Sequence, residues 1–269
     1  MNVSISGCDP LTRIFNKQRI PSPHPDIYLY IVTYWSEGYK VKGYLAEPIW
    51  SKSLPGLLYL RGGIKNVGMV RIQRLIQWAS EGFVVFGPFY RGNRGGEGNE
   101  DFGGQDRLDA VYAVDVLKEN KRFDPKQGLH AIGFSRGGVM ALWAAIYRKE
   151  MKSIISWSGV TDMFLTYRER VDLRRMMKRV IGGTPTKYPE RYDFRTPLNQ
   201  VEDIHASVLI IHGELDEHVS IEHAYQLETL LEQENKHVES WYYKTYSHQF
   251  PVRQQQVILK EAAKWMKRQ

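Results

Sequence analysis

The sequence has one cysteine, Cys8, so no disulfide can form within the chain. A single thiol suits a reducing compartment, and a cytoplasmic protein is expected. No apolar run approaches the roughly 18 residues that span a bilayer, and the N-terminus has no charged-then-apolar leader pattern. No membrane partner is therefore expected. There is no metal-ligand spacing, no phosphate-binding Gly-Lys-Ser/Thr loop and no dinucleotide fingerprint, so no cofactor or metal is implied. Internal repeats and low-complexity tracts are also lacking.

The 269 residues are 42% hydrophobic and 25% charged, with a formal net charge of +7. That is the composition of a globular chain long enough to bury a large core unaided. The basic residues are dispersed except at 168–179, where Arg168, Arg170, Arg174, Arg175, Lys178 and Arg179 are interrupted only by Glu169 and Asp172 among charged residues. This stretch reads as a helix with a solvated face. No nucleic-acid-binding module accompanies it, and no nucleic-acid partner is expected.

Residues 1–26 read as an irregular N-terminal arm ending in Pro21-Ser22-Pro23-His24-Pro25, because closely spaced prolines disfavour helices and central strands. From 27 onward the β signals begin. Segments 27–34 and 40–46 are rich in aromatic and β-branched residues around Glu37-Gly38, a hairpin pattern. Short apolar runs then alternate with helical periodicity: strands at 56–60, 83–86, 129–134, 153–157, 208–212 and 238–243, helices at 70–80, 105–118, 137–148, 221–234 and 252–267. This order predicts a mainly parallel, eight-stranded sheet with helices on both faces. The rhythm breaks between 158 and 207. A stretch of that length is too long for an ordinary connection and reads as a partly helical insertion within one domain spanning 27–269.

Gly133-Phe134-Ser135-Arg136-Gly137 follows one predicted strand and opens a helix. A Gly-x-Ser-x-Gly motif in that context is a nucleophile elbow, and it predicts the α/β-hydrolase fold. The serine must sit on a sharp turn with its hydroxyl exposed, and glycines two residues away leave room for that turn. A serine hydroxyl needs a base, and in this fold the chain order is Ser, acid, His. Asp216 lies just past the strand at 208–212, and His248 just past the last strand. Glu214 and Glu217 compete for the acid, and His212, His218, His223 and His237 for the base, but position and order favour Asp216 and His248. The oxyanion hole is expected from the backbone N–H groups of Arg136 and of Gly63 in Arg61-Gly62-Gly63. Arg61 and Arg136 are expected to pair with nearby acids or to meet a substrate carboxylate. Tyr167, Met176, Met177 and Tyr188 of the insertion, with Arg61, are candidate substrate-pocket residues.

From about Tyr44 onward the chain resembles the catalytic domain of the prolyl oligopeptidase family. The resemblance rests on Arg61-Gly62-Gly63, Tyr90-Arg91-Gly92-Asn93-Arg94-Gly95-Gly96 with Asp106 and Asp109 beyond it, Gly133-Phe134-Ser135-Arg136-Gly137-Gly138, His212-Gly213-Glu214-Leu215-Asp216 and Ser247-His248. It implies serine peptidase or esterase activity, with Ser135, Asp216 and His248 as triad and Arg136 with the Gly62-Gly63 turn as oxyanion hole. Larger members carry an N-terminal β-propeller, whose specificity is not implied here. Arg61 also stands where relatives often have His or Tyr. The expected substrate is a small ester or short peptide; oligomeric state is not legible. A hydrolase-like binding protein without turnover is the competing expectation.

Overall fold

The structure, a computed structural model, describes residues 12–269. Its centre is a nine-stranded sheet of order β1-β2-β3-β5-β4-β6-β7-β8-β9. Strands β1 (Ile14–Ile20), β2 (Ile27–Ser36) and β3 (Tyr39–Pro48) are antiparallel, and β3 joins β5 (Val84–Pro88) in the same sense. The remainder is parallel: β5, β4 (Gly56–Leu60), β6 (Leu129–Phe134), β7 (Met151–Trp157), β8 (Ser207–Gly213) and β9 (Val238–Tyr243). The expected hairpin forms around Glu37 and Gly38, both at positive φ (49° and 78°), the geometry whose twist matches the flanking strands.

The sheet has one strand more than expected. Ile14–Ile20 lies within the segment read as an irregular arm, yet it pairs with β2 along the sheet edge. Most of its side chains are exposed, and Lys17 and Arg19 give it the charge with which natural sheets blunt an open edge. Residues 1–11 of the expected arm lie outside the described residues.

Helices α1 (Ile72–Ser80) and α8 (Val252–Arg268) cover one face of the sheet; α2 (Arg107–Lys118), α3 (Gly137–Tyr147) and α7 (Glu222–Gln233) cover the other. Period-two alternation assigns side chains to the two cores. In β8, Val208 and Ile210 enter the α2/α3 core while Leu209 and Ile211 enter the α1/α8 core. Being buried on both sides is what makes these strands read as unbroken apolar runs.

The stretch 158–207 contains α4 (Met163–Glu169), α5 (Arg174–Met177) and α6 (Pro189–Asp193). The basic stretch is not one helix. The chain leaves helical geometry at Arg170 (φ −94°, ψ 75°), whose guanidinium binds Asp172 and the His218 carbonyl. A wide π-type turn follows at Lys178–Gly182. No helix among the described residues is long and apolar enough to cross a membrane.

Candidate active site

The C-terminal ends of the parallel strands collect at one edge of the sheet, where open α/β sheets place their sites. Ser135 follows β6 there at φ +56°, a left-handed conformation that costs a non-glycine residue free energy. Backbone bonds hold it in place: Ser135 N–H donates to the Trp157 carbonyl, and the Ser135 carbonyl accepts from Gly138 and Val160. The flanking glycines are sterically obligatory. A Cβ on Gly133 would lie 2.0 Å from the Gly137 carbonyl oxygen, and one on Gly137 would lie 2.1 Å from that of Leu60.

Asp216 sits in the turn after β8, its side chain out of contact with solvent. Its Oδ1 accepts from the N–H groups of His218 and Val219, both at 2.9 Å, and its Oδ2 meets His248 Nδ1 at 2.7 Å. A second imidazole, His212, brings Nε2 to 3.4 Å from Oδ2 while donating to the Val219 carbonyl at 2.8 Å. A carbonyl only accepts, so His212 Nε2 carries a proton. Burial alone would raise the Asp216 carboxyl. Hydrogen bonds from His212, His248 and Val219 outweigh it and hold the group well below the usual carboxylate range. Asp216 is therefore anionic and aimed at Nδ1 of His248.

His248 is buried in the loop between β9 and α8. The acid and base loops are tied together by Leu215 N–H donating to the Tyr246 carbonyl. The imidazole packs on Phe134, the residue before Ser135, with ring centroids 4.9 Å apart. Ser135 and His248 line one cavity of about 540 Å³.

Gly62 and Gly63, past the end of β4, line that cavity beside Ser135. A Cβ on Gly62 would be 2.8 Å from Ser135 Cβ, so only glycine lets this backbone come so near. Gly63 has φ +65°. Arg136 immediately precedes α3, whose first N–H groups have no intrahelical partner.

The side chains of Arg61 and Arg136 are buried and paired with acids. Glu100 Oε1 accepts from Arg61 at 2.8 Å and from Arg136 at 2.6 Å; Arg136 also donates to Asp106 Oδ2 at 3.0 Å. Arg61 binds the carbonyls of Gly62, Val67 and Phe89 as well. Glu100 Oε2 accepts from the Lys65 N–H at 2.5 Å. Burial pushes the Glu100 carboxyl up, but Arg136 and Arg61 pull it below its ordinary value. Of the two roles open to these arginines, pairing with acids is the one found.

Among the expected pocket residues, Met176 lines the cavity and Arg61, Tyr167, Met177 and Tyr188 do not. Met177 is fully buried in the α2/α3 core. Tyr167 packs edge-on against Tyr192, and Tyr188 stacks under Arg191. The sequence reading also missed Glu100 and His212 as partners of the site. A glutamate in a glycine-rich loop looks solvated, and its arginines lie 39 and 36 residues away.

A Bacillus subtilis (strain 168) protein, named as the uncharacterized peptidase YtmA, is 55% identical over 255 residues, covering 94% of this chain and 99% of that protein. Among solved structures, acetyl xylan esterase 1 from Thermoanaerobacterium sp. JW/SL YS485 matches with TM-score 0.74 at 14% identity, over 96% of this chain and 88% of its own. The acylaminoacyl peptidase of Pyrococcus horikoshii matches with TM-score 0.70 at 17% identity, over 91% of this chain and 47% of its own. At such identities the two structures speak for the α/β-hydrolase fold alone. The pattern of the prolyl oligopeptidase family (Peptidase_S9) matches residues 70–269, a stretch that holds the elbow, the Asp216 turn and His248, and the chain belongs to that family.

Proposed function

We propose that this serine hydrolase cleaves carboxylic esters or short peptides through an acyl-enzyme on Ser135. The observation that carries the reading is the 2.7 Å bond between His248 Nδ1 and an anionic, buried Asp216, with Ser135 on a strained elbow in the same cavity. Ser135 Oγ attacks the substrate carbonyl as His248 Nε2 takes its proton, and Asp216 keeps the imidazole in the required tautomer. The N–H groups of Arg136 and Gly63 receive the oxyanion. His248 then protonates the leaving alcohol or amine, and water releases the acid by the same steps.

Glu100 is proposed as a positioning residue for that oxyanion hole. One carboxylate holds Arg136, Arg61 (the residue before Gly62-Gly63) and the Lys65 N–H. Both proposed donors are thereby fixed to a single anchor. Glu100→Gln is expected to lower kcat about 10- to 100-fold, less than deleting an oxyanion donor outright. KM should move less than kcat, and Glu100→Asp should recover part of the loss. A rise in KM at unchanged kcat would contradict the role.

The names of the relatives leave both ester and amide chemistry open. The test is kcat/KM on p-nitrophenyl esters from acetate to decanoate beside aminoacyl and dipeptidyl p-nitroanilides, with Ser135→Ala as control. Turnover that vanishes in the variant supports the reading, and the ratio of ester to amide rates assigns the leaving group. Turnover that survives in Ser135→Ala sinks it. We assign 168–179 to closing the substrate cavity, since Arg170, Leu173 and Met176 line it. The single cysteine supports a cytoplasmic site of action.

A further inference from the structure

The cavity beside Ser135 is built mainly of apolar side chains, among them Tyr59, Met69, Trp78, Phe102, Trp157 and Leu259. Set into these walls are four arginines, 71, 74, 136 and 170, while no aspartate or glutamate lines the cavity among the described residues. Two of the four charges are cancelled nearby: Arg136 by Glu100 and Asp106, and Arg170 by Asp172. The other two are not. Arg74 donates to the neutral amide oxygens of Gln77 and Gln255 at 3.0 and 2.5 Å, and Arg71 forms no ion pair among the described residues.

Both uncancelled cations stand on one wall. Arg71 precedes α1, and Arg74 lies in its first turn. Both line the same cavity as the half-buried Tyr59, and both guanidiniums oppose the upward push of burial on its hydroxyl. Arg74 is half-buried and Arg71 exposed at the rim. The half-buried charge attracts an anion more strongly than it would in open solvent, and each guanidinium offers a carboxylate a forked pair of donors. A free ammonium group in the same place meets two like charges and no carboxylate.

Resting on the serine-hydrolase reading above, we infer that the substrates of this site are esters or amides whose apolar chain ends in a carboxylate, received by Arg71 and Arg74. Compounds with a free amine at that end are disfavoured. The charge therefore selects against peptides presented by an unblocked N-terminus and for acyl chains or leaving groups with an acidic end.

Two matched sets of esters test this at physiological ionic strength, where steering by charges farther than about 8 Å is largely screened. In the first set the acyl chain ends differently: p-nitrophenyl hexanoate, mono-p-nitrophenyl adipate and p-nitrophenyl 6-aminohexanoate. In the second the leaving alcohol does: hexyl acetate, the acetate ester of 6-hydroxyhexanoate and 6-aminohexyl acetate. In at least one set kcat/KM should fall in the order carboxylate, methyl, ammonium, with carboxylate at least about tenfold above ammonium, a difference of about 1.4 kcal/mol. The double change Arg71→Glu with Arg74→Glu should invert that order. Because the readout is a ratio within one protein sample, partial loss of active protein cancels. Ser135-dependent cleavage of the neutral esters with the carboxylate less than about tenfold above the ammonium in both sets would overturn the inference and leave the hydrolase reading standing. A preference unchanged in the double variant would overturn it too. Failure to cleave the neutral esters and the p-nitroanilides alike would overturn both.

Discussion

Asp216→Asn is expected to lower kcat/KM by about 10⁴ in a protein that remains folded, the scale seen when a triad carboxylate becomes an amide. Asn keeps an oxygen for the N–H groups of His218 and Val219. Its NH2 group then faces His248 Nδ1 and favours the tautomer with the proton on Nε2, which cannot accept a proton from Ser135. The same NH2 group meets the Nε2–H of His212, committed to the Val219 carbonyl. Losing charge-assisted hydrogen bonds in a buried site should cost about 1–3 kcal/mol of stability at neutral pH. The pH dependence follows from the direction of the Asp216 shift. A carboxyl depressed in the folded state contributes its full stabilisation above the unfolded value of about 3.9, and loses it as pH falls toward the depressed folded value. Urea unfolding of the two proteins should show their gap narrowing below about pH 4. A gap that widens with acid, or activity within tenfold of the unaltered protein, would contradict the assignment.

Ser135→Gly should abolish turnover and at the same time stabilise the protein. Removing a triad nucleophile costs about 10⁶ in kcat in a well-studied serine protease. Glycine removes the penalty of holding a Cβ at φ +56°, about 1–2 kcal/mol, against about 0.4–1 kcal/mol of extra backbone freedom in the unfolded chain. A net gain of about 1 kcal/mol corresponds to a rise in Tm of about 2–4 °C for a domain of this size. Ser135→Ala is the control, since it keeps the Cβ and therefore the strain. It should lose activity with its Tm unchanged. Equal Tm values for the glycine and alanine variants would mean that the elbow stores no strain.

The parts of this site that were legible in the sequence are the local ones. Gly133 to Gly137 declare the elbow because a tight strand-to-helix turn constrains consecutive residues. Chain order and their place after strands singled out Asp216 and His248, which the structure joins by a hydrogen bond of 2.7 Å. What escaped depends on contacts between distant segments. Strand β1 carries little apolar pattern of its own, and its pairing is supplied by β2. Met176 and Met177 were both candidates for the pocket, but neighbours in a helix diverge by about 100°, so Met176 lines the cavity while Met177 enters the core. Arg61 and Arg136 were legible as unusual cations, but not Glu100, which holds them both. A buried acid is recognised only when its partners are placed.

Labelling with a fluorophosphonate, followed by peptide mapping, tests the central claim most directly. The folded protein should take up one adduct, on Ser135, and the Ser135→Gly variant should take up none. A folded, unaltered protein that stays unlabelled, or that carries the adduct on another residue, would contradict the assignment of Ser135 as nucleophile.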